Sequence, residues 1–117
     1  MTTRSTKSVS VIVPVHTLPA RLPQLLASAR PFLDTFLEEI IIVDNSGEGL
    51  EDLHDLVPKH PRVHILHEPQ QGPGLARNLG LSKARGDWVL FADSDDIVHF
   101  EILEAAGSDI PHWEAAL

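Results

Sequence analysis

Gly86-Asp87-Trp88-Val89-Leu90-Phe91-Ala92-Asp93-Ser94-Asp95-Asp96 is the stretch on which the fold turns. Trp88 to Ala92 are five apolar residues in a row. After Gly86, such a run predicts a strand buried on both faces, as in a parallel sheet. The run stops at Asp93, Asp95 and Asp96, three carboxylates within four residues. They repel one another and resist desolvation, and a divalent cation with oxygen ligands removes that repulsion. Open α/β sheets place their ligands at the carboxyl ends of parallel strands. The stretch therefore reads as a metal site at the mouth of a sheet. A solvated acidic turn is the plainer alternative for the same residues.

Upstream, the apolar periods alternate. Val9–Val13 predicts a strand ended by Pro14. Leu22, Leu25, Leu26, Ala29, Phe32, Leu33 and Phe36 follow at spacings of three and four, one face of a helix. Pro23 suits its first turn, and Pro31 predicts a break near Arg30. Glu39–Val43 is a second strand, leading into an Asp44-Asn45-Ser46-Gly47 turn. Leu50, Leu53 and Leu56 or Val57 form a short helix, Arg62–His67 a weaker third strand, and 70–74 a loop. A helix then runs from Pro73 or Gly74 to Ala84, ended by Gly86, and Ile97–Ala106 forms a last short one. The βαβαβαβ order predicts an α/β, Rossmann-like domain with a parallel sheet of about four strands. Its expected limits are 9–107, with a disordered lead-in at 1–8 and an irregular tail at 108–117.

Composition narrows the function. The chain has 117 residues, room for one domain with one core. A hydrophobic content of 43% is too high for a disordered chain. With no cysteine, disulfides, thiolate catalysis and Cys-based zinc sites are excluded. A net charge of −8 and no Lys/Arg cluster argue against a nucleic-acid partner. Apolar runs of about five residues fall far short of the roughly 20 a membrane span needs, and no signal-peptide pattern follows the basic start. The expected location is cytoplasmic.

Three strand ends carry the candidate chemistry: Pro14-Val15-His16, Asp44-Asn45-Ser46 and Asp93–Asp96. In a parallel sheet they share one edge and can surround one ligand. Asp44 can accept hydrogen bonds from a base or ribose, or simply cap a turn. Gly72-Pro73-Gly74-Leu75-Ala76-Arg77 comes close to the dinucleotide fingerprint, but Arg77 replaces its third glycine and the stretch follows the third strand rather than the first, so NAD is rejected. Arg77 in a first helical turn can face phosphate, or be a surface arginine. The Asp cluster is not an EF-hand, because Val98 stands where glycine is needed. His64 and His67, three apart on a strand, fall on opposite faces and do not make a metal pair. His99 is near enough to the cluster to reach a metal but is not assigned to one.

Taken together, Val-Ser-Val-Ile-Val-Pro-Val-His (9–16), Glu-Ile-Ile-Ile-Val-Asp-Asn-Ser (39–46), Gly-Pro-Gly-Leu-Ala-Arg-Asn-Leu-Gly-Leu (72–81) and Ala-Arg-Gly-Asp-Trp-Val-Leu-Phe-Ala-Asp-Ser-Asp-Asp (84–96) resemble the nucleotide-binding half of a family 2 glycosyltransferase of the GT-A fold. The resemblance implies a nucleotide-diphosphate sugar donor, a UDP-sugar first, in polysaccharide biosynthesis. It implies Mn²⁺ or Mg²⁺ on Asp95, aided by Asp93, with Asp93 and Ser94 also contacting ribose or sugar. It implies that Asp44 reads the base in a pocket lined by Pro14 and His16, and that Gly72 and Arg77 lie near the phosphates. It further implies transfer to an acceptor hydroxyl, with inversion as the family's usual outcome, and in the full-length protein a place at the inner face of the membrane.

The chain departs from the family pattern in three places. His16 replaces an aromatic residue. Asn45-Ser46-Gly47-Glu48-Gly49 replaces the common Asp-Gly-Ser-x-Asp. The family's catalytic module is roughly twice this length and carries its general base in the second half. Glu101, Glu104 and Glu114 cannot be given that role from sequence, so the 117-residue chain is expected to be inactive alone. Association through an open edge at 88–92 is also expected. Two other functions compete. One is a non-catalytic nucleotide-sugar-binding or interaction module. The other is a haloacid-dehalogenase-type phosphohydrolase, disfavoured because only 21 residues follow Asp96 and none is Lys.

Overall fold

A computed structural model describes residues 8–17, 19–47, 49–94 and 98–105. Strand β1 is Val9–Val15 and β2 is Leu37–Asp44; helix α1, Leu22–Ala29, joins them and ends in a 3-10 turn at Arg30–Phe32. Then come α2 (Leu53–Leu56), β3 (Val63–His67), α3 (Pro73–Lys83), β4 (Trp88–Phe91) and α4 (Phe100–Ala105). The strands form one all-parallel sheet in the order β3-β2-β1-β4. The predicted α/β architecture is the observed one. The lead-in at 1–7 and the tail at 108–117 lie outside the described residues. Ser8, assigned to the lead-in, is buried and accepts the Trp88 N–H at its carbonyl.

Alternation of side chains gives the sheet two covered faces. Val9, Val11, Val13 and Val15 join Ile40 and Ile42 beneath α1, with Leu22, Leu25, Leu26 and Ala29 as the helix's inward stripe. On the opposite face Ile12, Ile41 and Val43 pack against Ala76 of α3. Gly80, one turn on from Ala76, lets the helix sit close, since a Cβ there would lie 2.6 Å from Ile12 Cγ2.

Two expectations are corrected. β1 does not end at Pro14; it continues to Val15, with Pro14 level with Val43. The Ile12 carbonyl bonds to Ala92 N–H on the β4 side and the Val15 carbonyl to Asn45 N–H on the β2 side. By the two-residue period, the proline nitrogen faces the β4 side, so the β1/β4 ladder ends after the Ile12–Ala92 bond while the β1/β2 ladder, on the other side, runs on to Val15. Trp88–Phe91 is not buried on both faces: all four residues are half-buried. Among the described residues β4 pairs with β1 alone, so it is an edge strand with thinner cover. The break at Pro31 appears as expected, as the switch from α1 to the 3-10 turn.

Candidate functional site

The strand order creates a switch point. β1, β2 and β3 step outward in one direction, and β4 returns to the other side of β1. In open parallel sheets the crevice at such a reversal, beyond the carboxyl ends, is the ligand position. His16 follows β1 there and Asp93 follows β4, both exposed; Pro14 and Ser94 are half-buried beside them. Asp44 ends β2, one strand beyond β1. With strands spaced by roughly 4.8 Å, the chain positions of Asp44 and Asp93 stand about 10 Å apart across the edge.

Asp44 is buried and its carboxylate is used locally. Ser46 donates to Oδ1 from its N–H at 3.1 Å and its hydroxyl at 2.8 Å, and the Leu50 N–H donates to Oδ2 at 2.7 Å. His67 Nδ1 lies 3.8 Å from Oδ2. Burial works against the charge, but the hydrogen bonds from Ser46 and Leu50 and the nearby His67 outweigh it and hold the carboxyl below its ordinary value. Asp44 thus caps the turn, and it also lines an open groove of about 330 Å³ with Leu50, His54, Ile65 and His67. The contact between His67 and Asp44 was not legible in the sequence. It depends on register, which sets His67 opposite Asp44 across β2 and β3.

Asn45, named from the sequence only as part of the polar end of the second strand, has a structural part of its own. It is fully buried: its amide nitrogen donates to the carbonyls of Glu68 and Gln70 at 3.1 and 2.7 Å, and its Oδ1 accepts the Gly72 N–H at 3.0 Å. Gln71 Nε2 adds a bond to the Ser46 carbonyl at 2.7 Å. These contacts tie the loop before α3 to the end of β2 and fix where the helix begins. Gly72 precedes the helix at φ +150°, a conformation that favours glycine. A buried Asn after an apolar strand was the available signal, but its partners lie more than twenty residues away in sequence.

Arg77 sits one residue past the first turn of α3, which begins at Pro73. Its guanidinium carbon lies 5.8 Å from the Phe91 ring centroid, within cation–π range. This holds a positive charge over β4, two residues before Asp93. Gly74, by contrast, has nothing within 4 Å of a built Cβ and no special backbone angle.

The histidines separate as expected. His64 reaches Glu39 Oε1 at 3.3 Å on the α3 face, away from His67. His99 pairs with Glu101 at 3.4 Å. Glu104 accepts a hydrogen bond from the Thr35 hydroxyl at 3.2 Å, beside the start of β2 and so at the far end of the sheet from the crevice. Glu114, Asp95 and Asp96 lie outside the described residues. Among the described residues no three His, Cys, Asp or Glu side chains converge as a metal cluster. A Mg²⁺-type cation shared with a diphosphate takes only one or two carboxylates, and the hard oxygen donors of Asp93 and its neighbours suit that mode. No helix among the described residues is long and apolar enough to cross a membrane.

Comparison with known proteins follows the same geometry. Glucosyl-3-phosphoglycerate synthase from Mycobacterium tuberculosis, solved in complex with Mn²⁺, UDP-glucose and phosphoglyceric acid, superimposes with a TM-score of 0.62 at 21% identity, covering 80% of this chain and 34% of that one. The shared architecture is the GT-A fold. An uncharacterized glycosyltransferase of Haemophilus influenzae is 37% identical over 98 residues, covering 82% of this chain and 39% of its relative. The pre-mycofactocin glycosyltransferase of Mycobacterium tuberculosis is 34% identical over 92 residues, 78% of this chain and 18% of the relative. The chain thus spans well under half the length of either. The model of glycosyl transferase family 2 matches residues 10–106, nearly the whole described sheet and its helices, and the chain belongs to that family.

Proposed function

We propose that this chain forms the donor-binding half of a glycosyltransferase and takes a nucleoside diphosphate sugar, a UDP-sugar first, across the carboxyl edge of its sheet. The observation that carries the reading is the placement of Asp44, His16 and Asp93 at successive strand ends around the β1/β4 switch point. That span fits a nucleotide laid from base to diphosphate. The base sits toward Asp44, with Pro14 and His16 lining its pocket and His67 on the far side. Asp44 caps its own turn, so its part is to hold the Leu50 and His67 side of the groove while its remaining acceptor capacity faces the base. The free N–H groups at the start of α3, with Gly72 and Arg77, face the phosphates.

Asp95 and Asp93 would hold Mn²⁺ or Mg²⁺, and Ser94 would face the ribose or sugar. Bound there, the cation stabilises the negative charge that develops on the departing diphosphate. The neighbouring synthase was solved with both Mn²⁺ and UDP-glucose, which supports this donor and ion. Transfer goes to an acceptor hydroxyl, with inversion, and needs a general base. Glu104 is held at the wrong end of the sheet for that role. A non-catalytic binding module is the second reading. The phosphohydrolase reading has no support from the family match.

The test is Asp95→Ala. The variant is expected to fold, to retain metal-independent nucleotide affinity, and to lose the Mn²⁺-dependent part of UDP binding by calorimetry. Unchanged Mn²⁺ dependence would remove Asp95 from the site.

A further inference from the structure

We infer that Ser8, Ser10 and Glu39, at the opposite end of the sheet from the crevice, are positioning residues that set the register of β4 and so the level at which Asp93 leaves the sheet; the functional half of this inference rests on the donor-binding reading above. β4 is four residues long and, among the described residues, pairs on one side only, Val9 to Ile12 against Trp88 to Phe91. A short edge strand has few ladder bonds to resist slippage. Hydrophobicity does not resist it either. Trp88, Val89, Leu90, Phe91 and Ala92 are all apolar, so a slip of one residue would present an equally apolar set to each face. The slip would also carry Asp93 about 3.3 Å along the strand and turn it to the other side.

Something other than apolar pattern must fix the register, and the residues before β4 supply it. Three consecutive backbone N–H groups each donate to a side chain of the strands beside them. The Arg85 N–H bonds to Glu39 Oε2 at 2.6 Å, Gly86 N–H to Ser10 Oγ at 2.8 Å, and Asp87 N–H to Ser8 Oγ at 3.1 Å. The acceptors are themselves coupled. Ser10 donates its hydroxyl to Glu39 Oε2 at 2.8 Å, and Ser8 donates its N–H and hydroxyl to Asp87 Oδ2 at 3.0 and 3.1 Å. Ser8, Ser10 and Glu39 are 4, 0 and 3% exposed. A slipped strand would leave a buried carboxylate and a buried hydroxyl without these donors, a state that native structures avoid. Gly86 permits the approach, because a Cβ there would stand 2.6 Å from the Ser10 nitrogen. The polar residues thus select one register where the apolar ones select none.

The experiment compares Glu39→Leu and Ser10→Ala with Glu39→Gln in the full 117-residue chain. Gln keeps an oxygen for the Arg85 N–H and the Ser10 hydroxyl; Leu does not. The first readout is amide hydrogen exchange at Ala92, bonded to Ile12, against Asn45, bonded to Val15 in the β1/β2 ladder. Glu39→Leu and Ser10→Ala should lose about tenfold or more of the protection at Ala92 while Asn45 keeps its own, and Glu39→Gln should restore it. The second readout is Mn²⁺-dependent UDP affinity, which should fall by about tenfold with the first two variants and recover with Gln. Unchanged protection at Ala92 in folded Glu39→Leu or Ser10→Ala, or a Gln variant as damaged as the Leu one, overturns the inference. Should Glu39→Leu not fold, Ser10→Ala decides by the same two readouts. Wild-type chain that binds no UDP overturns the donor-binding reading, and the exchange arm still decides the register.

Discussion

Asp44 keeps its charge in a buried place that opposes it, because the chain turns back to give it N–H donors from Ser46 and Leu50. Its pKa is depressed in the folded state, so its contribution to stability is complete above the ordinary value of 3.8 and is lost as pH falls through the folded value. Denaturant midpoints of wild type and Asp44→Asn should therefore differ by a constant amount from neutral pH down to about pH 4, and converge below it. A gap that closes well above pH 4 would contradict this assignment. Arg77 has two duties that one variant can separate. Arg77→Ala should cost about 0.5–1 kcal/mol of stability through the lost contact with Phe91. It should also lower nucleotide affinity about tenfold if the guanidinium makes one charge-assisted contact. Loss of stability alone would make Arg77 a brace for β4. The positions of Asp44 at a strand end and of Arg77 near a helix start were legible in the sequence, because an apolar strand and a helix start are clear signals. The contacts of Asn45 and His67 were not, because their partners are set by strand pairing and by a loop contact.

Helix α3 shows how little a glycine count says until the helix is placed on the sheet. Gly72 and Gly74 drew notice because they come close to the dinucleotide fingerprint at a helix start. The structure keeps Gly72, through its backbone angle, and releases Gly74, which has open space around it. Gly80 was unremarked in sequence, yet its missing Cβ is what brings the helix against Ile12. Gly74→Ala should therefore be neutral or stabilising by about 0.4–1 kcal/mol. Gly80→Ala gains about 1 kcal/mol of helix propensity but forces a methyl into the fully buried Ile12, at about 1–3 kcal/mol, and should destabilise on balance. Thermal or urea unfolding of the two variants checks both signs, and the reverse order would contradict the packing of α3. The same logic explains β1. Pro14 read as a strand end because proline removes a donor, but the missing donor faces only the β4 side, and pairing with β2 continues through Val15.

Across the whole molecule, the parallel sheet was legible because apolar runs alternate with helical periods, and each run ends in polar residues. The chain order of the strands was readable; their spatial order was not, since the placement of β4 beside β1 rather than β3 depends on pairings distant in sequence. That placement turns the thin cover of Trp88–Phe91 from a puzzle into a property of an edge among the described residues, and creates a switch point at the carboxyl edge, where β2 ends in Asp44 and β4 is followed by Asp93. The buried polar cluster of Ser10 and Glu39 had no sequence signal either, because Glu39 read as the polar start of a strand. The central claim is that the crevice binds a nucleoside diphosphate through a divalent cation, since carboxylates at that edge would otherwise repel the diphosphate. Calorimetric titration of the purified chain with UDP, in Mn²⁺ and then in excess chelator, tests it most directly. The account predicts binding in Mn²⁺ that chelator weakens by about tenfold or more; equal affinity in both conditions would contradict it.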